Sequence, residues 1–82
     1  MDGGRGLRLR LTPADVGRRV VVRWRRPTVA GPDEVADLLG ELRAMDERAL
    51  VVVARDGLPV TVPLERALAG KVVPPAPQRR RA

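Results

Sequence analysis

Arginine is the residue type through which this chain can do chemistry. Fifteen of its sixteen cations are Arg, set against ten acids for a net charge of +6. In the run V-G-R-R-V-V-V-R-W-R at residues 16–25, Arg19, Val21, Arg23 and Arg25 alternate with Val20, Val22 and Trp24. A period of two puts the arginines on one face of a strand and the apolar set on the other. Such a cationic face can contact phosphates, or it can be the solvated outer side of a sheet. Trp24 shares parity with Val20 and Val22 and so suits a packing position. At a barrel rim it would instead anchor a partner. Arg19, Arg23, Arg25 and Trp24 are therefore the candidate partner or phosphate contacts, with Arg18 and Arg26 nearby.

Composition removes most other chemistries. There is no Cys, hence no disulfide framework, thiolate nucleophile or Cys-ligated zinc. There is no His, the usual metal ligand and the usual general base near neutral pH. The acids Asp33, Glu34, Asp37, Glu41, Asp46 and Glu47 contain no pair at a catalytic spacing and read as a solvated face. Trp24 is the sole aromatic, which argues against base stacking and against an aromatic-lined groove for PxxP peptides. No catalytic, cofactor or metal site is expected.

Charge is unevenly spread. Residues 1–26 carry +6, residues 27–66 carry −4 and residues 67–82 carry +4. Basic ends around an acidic middle suit contact with nucleic acid or an acidic partner. The predominance of Arg, Ala, Gly, Pro and Val also has a plain origin in GC-rich coding sequence. No apolar run approaches the ~20 residues of a membrane span, and the first residues lack the apolar core of a secretory signal. A cytoplasmic location without membrane contact is expected.

The elements that would position these residues are mainly strands. At residues 49–64, A-L-V-V-V-A-R-D-G-L-P-V-T-V-P-L, two β-rich runs flank Asp56-Gly57. Asp-Gly favours a tight hairpin turn whose central residues take positive φ. Leu58, Val60, Val62 and Leu64 alternate with Pro59, Thr61 and Pro63, and the prolines place this strand at a sheet edge. Residues 26–33 read as a loop broken by Pro27, Gly31 and Pro32. Residues 34–48 are ambiguous. Val35, Leu38, Leu39, Leu42 and Met45 form a helical stripe. A strand would instead share Ala36, Leu38, Gly40, Leu42 and Ala44 on one face, with Gly40 at a sharp bend. The local pattern favours the helix. Residues 64–69 suit a single helical or 3₁₀ turn ended by Gly70, and 71–73 a short last strand.

The order of elements is that of an SH3-like barrel. D-V-G-R-R-V-V-V-R at residues 15–23, D-L-L-G-E-L at 37–42, R-D-G at 55–57 and G-K-V-V-P-P-A-P at 70–77 occur in sequence. Together they resemble the N-terminal SH3-like domain of actinobacterial GNAT-type N-acetyltransferases, over about residues 13–77. The resemblance implies that residues 35–45 are the second strand and not a helix. In that family the last string leads into an acetyltransferase domain, whose pyrophosphate loop has the form (Q/R)-x-x-G-x-(G/A). This sequence stops at Ala82 and contains no such string, so acetyl transfer is not expected of it.

The expected fold is an all-β, five-stranded antiparallel SH3-like barrel with one short helical or 3₁₀ turn. Its strands are expected at residues 16–25, 36–45, 49–55, 58–63 and 71–73. Residues 1–11 are read as a flexible arm, 12–74 as the barrel and 75–82 as a Pro/Arg-rich tail. The expected function is a non-catalytic accessory or binding module with a protein partner, an acetyltransferase domain being the candidate. The module would be a free-standing copy of the barrel, or a fragment whose catalytic domain lies in a separate chain. The alternative is a small basic nucleic-acid-binding protein acting through phosphate contacts. Val22, Leu42, Val52 and Val62 are the expected core.

Overall fold

A computed structural model describes residues 9–75. The expected Gly-rich start at residues 1–6 and the Arg79, Arg80 and Arg81 end lie outside these. The strands are β1 (Arg19–Thr28), β2 (Gly31–Met45), β3 (Ala49–Ala54), β4 (Pro59–Pro63) and β5 (Ala67–Val72). Short 3₁₀ turns occupy Pro13–Asp15 and Leu64–Arg66. All five strands join one antiparallel sheet in the order β4-β3-β2-β1-β5, curled into a half-barrel.

The curl is driven by one apolar face. Val20, Val22 and Trp24 of β1 turn inward, as do Leu42 of β2, Leu50 and Val52 of β3, and Val62 of β4. Leu11 joins this core and Leu9 packs against it, so residues 9–11 lie on the barrel. All four expected core residues are fully buried. Partners brought together by antiparallel pairing remove apolar surface from water on one side of every strand, at about 25 cal/mol per Å².

Residues 34–48 are mostly strand, against their helical local pattern. The helical stripe would bury Val35 and Leu39, which instead stand 59% and 45% exposed. Pairing with both β1 and β3 satisfies the backbone of β2 on its two sides, while Leu38 and Leu42 face the core. Tertiary pairing thus overrides local periodicity.

Several boundaries differ from the sequence reading. The expected loop at 26–33 is mostly ladder: β1 runs to Thr28 and β2 begins at Gly31, leaving only Val29 and Ala30 as the turn. Pro27 is tolerated because it sits at a register shift between Arg26 and Thr28, where no ladder donor is needed. The first strand starts at Arg19, not at residue 16, because Val16 caps the 3₁₀ turn with its N–H on Pro13 C=O. The last strand starts at Ala67, and Gly70 lies within it, not at the end of a helical turn. The Arg55-Asp56-Gly57 hairpin also departs from expectation, since Gly57 alone takes positive φ (+85). Gly57 N–H donates to Ala54 C=O at 2.8 Å and Ala54 N–H to Leu58 C=O at 3.4 Å. This is a three-residue loop with glycine in the left-handed position.

Both edges of the sheet are guarded, one by the prolines of β4 and the other by the segment that bridges β5. Leu64 N–H donates to Arg48 C=O at 2.9 Å. Together with the Ala54–Leu58 bond this fixes the register: even-numbered residues of β4 bond inward to β3 and odd-numbered ones point outward. The outward set is Pro59, Thr61 and Pro63, so Thr61 alone offers an N–H. On the other edge, Leu9 bridges Gly70 in parallel, and Arg10 N–H donates to Gly70 C=O at 2.7 Å.

Candidate binding face

Strand alternation separates the four candidate contacts into two environments. Trp24 lies inside, 7% exposed. It is a packing residue and not part of an exposed platform. Arg19, Arg23 and Arg25 project from the outer face of β1, as their parity requires. They are not one free cationic row. Arg23 donates through Nε and Nη2 to the two carboxylate oxygens of Asp37 at 2.9 and 3.2 Å. The register sets this pair, because Arg23 stands opposite Asp37 across β1 and β2. The hydrogen bonds from Arg23 hold the Asp37 carboxyl below its ordinary range, and Asp37 in turn raises the Arg23 guanidinium. Arg19 Nη1 donates to the Pro74 carbonyl at 3.0 Å and so ties down the segment after β5. Arg25 is exposed, and its backbone carbonyl accepts from Arg66 Nη1 at 3.3 Å.

The far end of the β1–β2 hairpin stands clear of the barrel, with residues 25–35 all exposed. Its charges pair with each other and with the 3₁₀ turn. Arg26 contacts Glu34, and Arg66 Nη1 lies 2.6 Å from Asp33 Oδ2. Thr28 Oγ1 donates within the turn to the carbonyls of Gly31 and Pro32. Asp46 accepts the N–H groups of Arg48 and Ala49, at 2.7 and 3.0 Å, and these bonds hold its carboxyl below the ordinary range. Asp33, Glu34, Asp37 and Asp46 therefore serve turns and ion pairs, and among the described residues no three acids converge to hold a metal ion.

The outer face has apolar content that parity alone did not bring out. Val21, Val51 and Val53 are half-buried there, beside the exposed Leu39. A groove of about 620 Å³ runs over Leu39 and Val53 between Arg19, Glu41 and Arg55. A second, of about 500 Å³, lies over the β1–β5 seam, lined by Arg10, Val21, Arg23, Asp37, Ala69, Gly70 and Lys71. Sequence patterning did not bring Arg10 and Lys71 to this face. The signal for Lys71 was its parity with Ala69, legible only once β5 is known to pair with β1.

Residues 14–71, from the first 3₁₀ turn through Lys71 of β5, match the family described as the Rv0428c N-terminal Sm-like domain. The chain belongs to that family. An Sm-like domain is a small β-barrel of SH3-like kind, in agreement with the curled five-stranded sheet. Arg19, Arg23, Arg25, Trp24 and Lys71 fall inside the Sm-like match, and Arg10 precedes it. No curated protein and no solved structure matches the chain. No helix among the described residues is long and apolar enough to cross a membrane.

Proposed function

We propose that this Sm-like domain is a non-catalytic accessory module that docks on a protein partner through the outer face of its sheet, the partner being a GNAT-type acetyltransferase domain. The observation that carries the docking is the apolar strip of Val21, Leu39, Val51 and Val53 on a face against which no described element packs. Arg19, Arg23, Arg55 and Lys71 surround it. An apolar centre with arginine around it matches the residue preferences of protein interfaces. Edge pairing is the competing mode of attachment, and the prolines of β4 and the segment on β5 oppose it. The acetyltransferase link rests on the ordered strings at residues 15–23, 37–42, 55–57 and 70–77 and on a family described as an N-terminal domain. Non-catalytic action is supported by the lack of Cys and His and by acids already engaged with arginines and turns.

The test is calorimetry of the chain against purified GNAT-type catalytic domains from the same genome. Binding of micromolar order is expected, abolished by Leu39→Glu while the variant keeps its melting temperature. No binding to any of those domains, or saturable binding of acetyl-CoA by this chain alone, would refute the reading. The second reading, phosphate contact with a nucleic acid, is favoured by the arginines of β1. It is opposed by the Arg23–Asp37 pair, the tie from Arg19 to Pro74, and the burial of Trp24.

A further inference from the structure

We propose that the edge of β2 between Gly31 and Leu38 takes up an extended segment of a partner protein as a further strand. This site goes beyond the docking face described above and does not depend on it. The two outer edges of the sheet are guarded, but β2 outruns the strand beside it. Its pairing with β3 begins only at Gly40, opposite Ala54, and β3 then leaves through the Arg55-Asp56-Gly57 turn. Residues 31–38 keep β1 on one side and have no strand on the other among the described residues.

The ladder fixes which groups face the open side. Leu42 N–H donates to Arg18 C=O at 2.9 Å. From there the β1–β2 register runs without a shift from the Arg19–Glu41 pair to the Arg26–Glu34 pair. Even-numbered residues of β2 therefore bond to β1, and Val35 and Asp37 turn their N–H and C=O groups outward. The other edge of the same hairpin is blunted. Its outward row holds Arg25, whose C=O accepts from Arg66 Nη1 at 3.3 Å, and Pro27, which lacks an N–H. Alternating donors and acceptors along an open edge are the template for strand addition.

Side chains along the edge select the occupant. Val35 stands 59% exposed, two positions from Asp33 and two from Asp37. An ionised carboxylate accepts at about four positions. Arg23 takes two of these at Asp37 and Arg66 one at Asp33, so both acids can still accept from the open side. The segment that fits carries an apolar residue over Val35 and a donor side chain, Lys or Arg, two positions to either side. A second copy of this chain fits badly. Antiparallel registers that spare the second copy's β3 set Asp33 against Asp33, Glu34 against Glu34 or Asp33 against Asp37, and like charges directly opposite destabilise. Setting Ala36 against Ala36 avoids this but drives Gly31 onto Glu41, whose open side β3 already fills.

The experiment is an NMR amide titration of the full chain with the capped pentapeptide Lys-Thr-Val-Thr-Lys. Saturable shifts and slowed amide exchange are expected at Val35 and Asp37, with a dissociation constant of about 1 mM. N-methylation of the peptide's central valine removes the N–H that meets Val35 C=O and should abolish binding. Replacing a lysine by glutamate should weaken it about two- to fivefold. Val35→Pro deletes an outward N–H and none of the bonds to β1, so the variant should melt within about two degrees of the parent and fail to bind. Leu39→Glu should leave the peptide bound, so this reading and the docking face fail separately. Absence of saturable shifts at Val35 and Asp37, or equal binding of the N-methylated peptide, would overturn the site. So would amides at Val35 and Asp37 already protected in the free chain. A concentration-dependent dimer in sedimentation that Val35→Pro abolishes, with no peptide binding, would assign the edge to a second copy and overturn the partner segment.

Discussion

Substituting Gly40 by Ala should be among the most damaging single-methyl changes in this domain. Gly40 lies in β2 opposite Ala54 of β3. A Cβ built there would lie 2.2 Å from the Val53 carbonyl oxygen, 2.8 Å from its carbon and 2.9 Å from Val52 Cγ1. Ordinary contact begins at 3.4 Å, so β3 would have to retreat by more than an ångström along the ladder that holds it. The nearest obstructing atoms are backbone, which has no rotamer to escape into, and the third is a methyl of the fully buried Val52. Overpacking of this kind costs about 1–3 kcal/mol, occasionally more, and the backbone clash puts Gly40→Ala at about 3 kcal/mol or above. With roughly 4–8 °C per kcal/mol for a domain of this size, the melting temperature should fall by about 12–24 °C. Thermal and urea unfolding followed by circular dichroism would read it. Gly31→Ala is the control, since the nearest atom to its added Cβ is Thr28 Oγ1 at 3.7 Å. It should leave stability unchanged or slightly higher. A Gly40→Ala protein melting within two or so degrees of the parent would show that β2 and β3 are not packed as described.

Two further outcomes follow from the core and the turns. Leu42→Ala should cost roughly 2–5 kcal/mol, a large share of the about 5–15 kcal/mol available to a small domain; urea midpoints would measure it. Asp46 caps the β2–β3 turn as a carboxylate with its pKa lowered by the Arg48 and Ala49 N–H bonds. Its contribution is present above the unfolded pKa of about 3.9 and is lost as pH falls through the lower folded value. Melting temperature measured from pH 6 to about pH 2 should therefore drop less steeply in Asp46→Asn, which keeps an acceptor without the titration. A parallel acid limb in both proteins would remove Asp46 from that account.

The sequence carried most of the fold where its cues were local. The alternation of Val20, Val22 and Trp24, the Asp56-Gly57 turn and the prolines of β4 each act over a few residues, and each marked its strand or its edge. Residues 34–48 defeated local reading because Leu38, Leu39 and Leu42 satisfy both periods. Only the pairing with β1 and β3 decides between them, and that information sits in other parts of the chain. The projecting end of the β1–β2 hairpin was hidden by Pro27 and Pro32, which read as breakers until the register shift explains how the ladder passes them. On the outer face, the arginines of β1 were visible but their commitments were not. The partners Asp37 and Pro74 lie 14 and 55 residues from Arg23 and Arg19. Arg10 and Lys71 meet only because the segment before β1 bridges the edge of β5.

The row of odd-numbered positions along β4 has a consequence for how this protein behaves when crowded. A growing aggregate extends by strand docking, and each new strand needs alternating donors and acceptors along the exposed edge. With imino nitrogens at Pro59 and Pro63, that edge presents carbonyls on both sides of a single amide at Thr61. An incoming strand would bury its own N–H groups well but leave two of its carbonyls without a donor, at a penalty of about 1–3 kcal/mol for each. Two residues that lack an N–H thus blunt this edge of a valine-rich hairpin against the docking of a further strand.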